Sequence, residues 1–202
     1  MARTPKVVED RREQIIDAAM RVFSQKGFTK ATNKDIAREA GITPGLIYYY
    51  FESKEALLQA ILESRSPMQL VTSLSPQALS LPPESFLRSL LLRVLDIVES
   101  ENFVGLLRVM LPELVYNPDV PPLAAGFIQR ILTFLAGYLS SKMETGELRR
   151  TDPALTAQIL LGSMIAFVLR RHIMRDPIAL QYTHEQIASA VIETVIEGLL
   201  PR

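Results

Sequence analysis

The chain has 202 residues, 22 Lys/Arg against 22 Asp/Glu, 48% apolar residues and no cysteine. That length suits one large or two small domains and buries most of its apolar surface without staples. Without cysteine there are no disulfides, thiolate metal sites or cysteine nucleophiles, which fits a reducing compartment. The zero net charge hides an asymmetry, because residues 1–60 hold ten Lys/Arg and eight Asp/Glu. A small positive excess permits a nucleic-acid footprint without specifying one. The opening MARTPKVVEDRREQ has no apolar stretch of the signal-peptide kind. The most apolar run, 154–169, is interrupted by Thr156, Gln158 and Ser163, so the expectation is a soluble cytoplasmic protein with no membrane partner.

In chain order, the first predicted helix runs from Val8 to Gln25, with Ile15, Ile16, Ala19, Val22 and Phe23 at helical spacing and Gly27 as its stop. A short second helix follows. Thr32 is its cap, Asp35 three residues on makes a weak capping box, and Ile36, Ala37 and Ala40 face inward. Gly41 ends it, since glycine enters the left-handed conformation at little cost. Thr43 is the expected cap of a third helix, with Pro44 at its first position. Two short helices joined by a tight turn make a helix-turn-helix, whose second helix enters the DNA major groove. Successive helical residues turn by about 100°. Ile47, Tyr50 and Phe51 therefore share the inward side, and Tyr48 and Tyr49 point out.

A fourth helix starts after Ser53 and ends at Pro67. Residues 66–83 carry four prolines and four serines and read as a loop or broken helix. Further helices are predicted at Pro83–Glu99, Asn102–Tyr116, Val120–Glu144, Pro153–Arg175 and His184–Leu200, with Asp152 and Thr183 as caps. No strand alternation and no internal repeat is visible. The fold class is all-α: an N-terminal helix-turn-helix domain over 1–54, then a larger helical bundle over 55–202.

Residues 28–55 resemble the DNA-binding segment of the TetR family of one-component bacterial transcriptional regulators. The resemblance is carried by Thr32, Asp35-Ile36-Ala37, Ala40-Gly41-Ile42, Gly45, Ile47-Tyr48, Phe51 and Ser53-Lys54-Glu55-Ala56-Leu57. It is strongest over residues 10–60. Asn33, where the family usually has an apolar residue, and Tyr50, where His is common, depart from the pattern. The resemblance implies a homodimer on a double-stranded, pseudo-palindromic operator. It places Thr32 and Lys34 at the phosphate backbone or groove edge, Thr43, Pro44 and Gly45 at the opening of the recognition helix, and Tyr48 and Tyr49 as O–H donors to phosphate or base. Lys54 is expected to offer its ammonium to phosphate. Arg3, Lys6, Arg11 and Arg12 read as a basic tail.

The same resemblance implies that the second domain holds a small-molecule effector and pairs with a second copy. Phe86, Leu90, Phe103 and Leu107, together with Met110, Phe134, Met164 and Phe167, are candidates to line a largely apolar site. Taken singly, each of them reads as plain core before pocket lining. Arg93, Glu99, Arg108, Glu113 and Arg170 are the candidate polar anchors. For the dimer face the candidates are Leu155, Ile159, Gly162, Ser163 and Ala166 on one helix and Val191, Ile192 and Val195 on the next, small residues permitting close approach. An enzyme is disfavoured. The only histidines, His172 and His184, sit near helix ends where surface positions are expected, and no phosphate loop, nucleophile elbow or metal-spaced pair is present. No cofactor is expected. The alternative to a ligand-responsive regulator is a helical DNA-binding or adaptor protein without an effector.

Overall fold

A computed structural model describes residues 5–65, 67, 70 and 73–199, without the side chains of 5–9. Expectations for Arg3, for the Lys6 side chain, for part of the 66–83 segment and for Leu200 lie outside these residues. Every regular element among them is helical: α1 (Pro5–Lys26), α2 (Asn33–Glu39), α3 (Pro44–Tyr50), α4 (Lys54–Arg65), α5 (Pro76–Leu79), α6 (Pro83–Val98), α7 (Glu101–Tyr116), α8 (Val120–Glu144), α9 (Pro153–Val168) and α10 (His184–Leu199). Two details differ from expectation. The proline- and serine-rich segment contains α5, capped where Ser75 Oγ accepts from Ala78 N. The helix expected over 153–175 is α-helical only to Val168 and continues as a π-helical turn, Leu169–Ile173.

The chain forms two compact units, one of residues 1–65 with 101–125, the other of 66–100 with 126–202. This is not a division at 54/55. α4 and α7 both pack within the first unit, because α4 buries Leu57, Leu58, Ile61 and Leu62, and α7 buries Val104, Leu106, Val109 and Met110.

In the first unit the predicted face of α1 is buried. The Phe23 and Phe28 rings meet edge to face at 5.2 Å. Arg65, at the end of α4, reaches back to α1, 2.8 Å from Glu13 and 2.6 Å from Asp17. In the second unit α6, α8, α9 and α10 share one core, with Leu87, Leu95, Leu139, Ala157, Ala188 and Ile192 essentially sealed. Full burial of each leucine or isoleucine side chain stabilises by about 1.5–3 kcal/mol. Asp152 caps α9 by accepting from Ala154 N at 2.8 Å. Thr183 and Gln186 cap α10 reciprocally, at 3.2 and 2.9 Å.

Two observations bear on the sequence expectations. α8, and α9 with its π-helical extension, are each long and apolar enough to cross a membrane by length and composition. Both nevertheless give side chains to the core, including Leu135, Leu139, Leu160 and Met164. Nor are the two histidines simple surface groups. His184 Nε2 lies 2.9 Å from Glu99 Oε2 and its Nδ1 3.0 Å from Asp96 Oδ1. His172 Nε2 stands 3.4 Å from Glu99 Oε1, and the Arg171 guanidinium pairs with both Glu99 oxygens. The residues are separated in sequence, so only the packing of α6 with α10 and with the segment before it assembles them.

Candidate nucleic-acid interface

The interface is built from the turn between α1 and α2 onward. Gly27 takes φ +78°, which lets the chain leave α1 sharply. The capping box of α2 is complete: Thr32 Oγ1 accepts from Asp35 N, and Asp35 Oδ2 accepts from Thr32 N, both at 3.2 Å. Lys26 Nζ sits 2.6 Å from Asp35 Oδ1. The Lys26 ammonium, followed by the Thr32 hydroxyl, draws the Asp35 carboxyl down to about 2. Gly41, at φ +63°, ends α2 while Ile42 N donates to Ala37 O at 2.9 Å.

Thr43 occupies the N-cap position of α3 in extended conformation, yet its side chain makes no capping bond. The expected side-chain cap is therefore absent, and Pro44 at the first position is what favours the helix start. Ile47 and Phe51 are buried, whereas Tyr48 and Tyr49 are 61% and 70% exposed. Tyr50 is half-buried, its ring edge-on to Tyr49, and its hydroxyl is enclosed without a hydrogen-bond partner. Around this face Thr32, Lys34, Thr43, Pro44 and Gly45 are all exposed. A Cβ at Gly45 would meet no atom within 4 Å, so the protein's own packing does not require glycine there.

Lys54 differs from expectation. Its ammonium donates to the carbonyls of Phe28, Thr29 and Ala31 at 2.8, 3.1 and 3.2 Å and lies 4.6 Å from the centre of the Phe28 ring. Three protons have three acceptors, so this lysine closes the α1–α2 loop and has none to spare for phosphate. From the opposite side Glu113 of α7 accepts from Thr29 N at 3.1 Å and from Thr29 Oγ1 at 2.8 Å. Sequence reading missed this clamp because its partners lie 84 residues apart.

Residues 15–61 match the bacterial regulatory proteins of the tetR family, and residues 85–196 match the C-terminal domain of AefR-like transcriptional repressors. The chain belongs to the TetR family. Among TetR-family relatives, the regulator SrpR of Pseudomonas putida is 47% identical over 72 residues, 35% of this chain and 34% of that protein. Matches with the first such relatives span 24% to 54% of their length. UidR of Escherichia coli is 28% identical over 152 residues, 74% of this chain and 76% of its own. Among solved structures, SmeT in complex with triclosan superposes with TM-score 0.77 at 21% identity, covering 95% of this chain and 92% of that one. FadR from Bacillus subtilis in complex with stearoyl-CoA gives 0.74 at 23%, covering 92% and 98%. At these identities the likeness is one of fold.

The remaining sequence-derived residues divide as follows. Of the effector candidates, Phe103, Leu107 and Met110 lie in the first compact unit and Phe86, Leu90, Phe134, Met164 and Phe167 in the second. They do not form one cluster within a unit. In the second unit the Phe86 and Tyr138 rings are 4.3 Å apart, and the Tyr138 hydroxyl is buried without a partner. Burial pushes that phenol well above its ordinary value, with the Glu147 charge adding to the effect. Three candidate anchors are engaged elsewhere: Glu99 by Arg171 and His184, Glu113 by Thr29, and Arg170 by Asp176. On the expected dimer face Leu155 and Ile159 are more than half exposed and Ala166 is exposed, with Gly162, Ser163 and Val195 intermediate. Val191 and Ile192 are corrected: both are buried in the core of their own unit, because α10 turns this edge toward α6.

Proposed function

We propose that this TetR-family chain is a cytoplasmic, ligand-responsive transcriptional repressor that binds a pseudo-palindromic operator as a homodimer. The observation that carries the reading is the α3 surface, where Tyr48 and Tyr49 stand exposed beside the open backbone of Gly45. Tyr48 and Tyr49 supply hydroxyls to base edges or phosphates. Thr32 and Lys34 hold the backbone, and Thr43 and Pro44 set the helix start against it. Lys34 has no ion-pair partner among the described residues, so its charge is available to a phosphate. The stripe Leu155, Ile159, Gly162, Ser163 and Ala166 on α9, exposed at Leu155, Ile159 and Ala166, supports pairing about a two-fold axis. Such pairing sets two recognition helices about 34–36 Å apart, one turn of DNA, or a multiple of it.

For the effector, the supporting observations are the apolar core around Phe86, Leu90, Tyr138 and Met164 and the apolar or acyl compounds in the neighbouring SmeT and FadR complexes. An effector acts by its differential affinity for two states, typically about 1–3 kcal/mol of coupling. The test is a gel shift of the purified protein on its own upstream DNA against random competitor at two salt concentrations, followed by titration with triclosan or stearoyl-CoA. A discrete dimer-sized complex that resists competitor, and that Tyr48→Phe weakens, is expected. Binding erased by modest salt and indifferent to sequence would refute the regulator reading.

A further inference from the structure

The α1–α2 loop is held from two sides, and only one holder comes from the helix-turn-helix sequence. Lys54, at the start of α4, takes the carbonyls of Phe28, Thr29 and Ala31. Glu113 takes the donors: Thr29 N–H on Oε1 and the Thr29 hydroxyl on Oε2, with Asn117 Nδ2 donating to Oε2 at 3.2 Å. Gly27 lies beside this carboxylate, where a Cβ would stand 3.5 Å from Oε1, in ordinary contact. Glu113 is buried, and burial pushes its carboxyl upward. The hydrogen bonds from the Thr29 hydroxyl and backbone N–H overcome this and hold it below the usual value. It therefore stays a carboxylate at neutral pH, and among the described residues it pairs with no cation; the dipoles aimed at it balance its charge.

Position gives this arrangement its meaning. Glu113 lies within residues 85–196, the match to the C-terminal repressor domain, yet α7 packs in the N-terminal unit. Thr29 is three residues before Thr32, the cap of α2. Val120, three residues past Asn117, begins α8, the helix that carries the chain into the second unit. Pro112, inside α7 and just before Glu113, gives no backbone N–H, so the helix ladder lacks a rung beside the carboxylate.

We infer that Glu113 is a positioning residue for operator binding: acting through Thr29, it fixes the entry of α2, so that the placement of α7 sets DNA affinity. This rests on the DNA-binding reading above. With the clamp closed, one geometry of the helix-turn-helix dominates. With it open, the competent geometry is a fraction of several, and apparent affinity falls by that fraction. No DNA contact is removed, so the number of phosphates neutralised stays the same.

The experiment uses the full chain and a duplex that the unaltered protein selects from a random library. Affinity is measured by fluorescence anisotropy across a salt series for the Glu113→Gln, Thr29→Val and double variants, with Lys34→Ala as the phosphate control. Amide exchange over residues 28–36 is followed in parallel. Glu113→Gln keeps the shape and one acceptor, so it tests the clamp even where Glu113→Ala fails to fold. Expected are an affinity loss of about tenfold for Glu113→Gln, the worth of one charge-assisted hydrogen bond, and an unchanged salt slope. The double variant should be no weaker than the weaker single, and amide exchange should quicken at Thr29 and the start of α2. Equal affinity in Glu113→Gln and the unaltered protein overturns the inference alone, as does additive loss in the double variant. A protein that selects no duplex overturns the DNA-binding reading and this inference with it.

Discussion

Replacing Lys54 with methionine separates two roles that sequence pattern merges. Methionine keeps most of the aliphatic stem against Phe28 and removes only the ammonium. Three charge-assisted bonds and a cation–ring contact are lost. A hydrogen bond to a charged group is worth about 1.5–3 kcal/mol, but this site is partly open and water re-solvates the freed carbonyls. One such bond, plus about 0.5–1 kcal/mol for the ring contact, gives a loss of roughly 2–4 kcal/mol. For a chain of this size each kcal/mol moves Tm by about 2–4 °C, so a fall of roughly 4–16 °C is expected. Operator affinity should drop because the loop before α2 loosens, while the slope of log affinity against log salt stays put. Circular dichroism melting and a salt series of anisotropy titrations read both. An unchanged Tm with a slope shallower by about 0.9, the loss of one phosphate contact, would refute the reasoning and return Lys54 to the DNA backbone.

Gly45→Ala should leave stability unchanged or raise it by up to about 1 kcal/mol, from helix propensity and the absence of any clash, while operator affinity falls. Melting and anisotropy together check this, and equal affinity would show that the backbone at Gly45 does not approach DNA. Tyr138→Phe removes a buried hydroxyl that has no partner, so urea unfolding should show no loss and a gain of up to about 1–2 kcal/mol. The pH optimum of the second unit follows from Glu99 and His184, which face each other among the charges of Asp96 and Arg171. Burial alone would lower the His184 value, but the carboxylates of Glu99 and Asp96 raise it above 6.5. Its stabilisation is complete below that value and disappears as pH rises through the raised one. Burial alone would raise Glu99, but Arg171 and His184 hold it below 4.5, so its stabilisation is present above 4.5 and lost on further acidification. Thermal stability should therefore peak between about pH 4.5 and 6.5, and His184→Gln should flatten the alkaline side of the curve.

Local chemistry made most of the fold readable. Thr32-x-x-Asp35, Gly41 and Pro44 act within a few residues, and the helices they bound appear where the pattern puts them. Tyr48 and Tyr49 were assigned to the outside by rotation about α3, and their exposure agrees. What sequence could not supply is long-range partnership. Lys54 reads as a surface cation until its three carbonyls, 23 to 26 residues away, come into view. Val191 and Ile192 fit an apolar stripe equally well for a partner or for the core, and the packing of α10 on α6 decides it. The two histidines sit twelve positions apart, and nothing in their spacing points to Glu99.

The N-terminal unit is discontinuous in sequence, and this has a consequence during synthesis. The loop before α2 cannot receive its Glu113 acceptor until 84 further residues have been made. At about 5–20 residues per second that takes roughly 4–17 s. Over this interval the emerging helix-turn-helix lacks α7, whose Val104, Leu106, Val109 and Met110 are buried in the finished unit. A nascent chain stalled before residue 101 should accordingly present α1 and α4 as substrates for a holdase, and one stalled well past residue 125 should not.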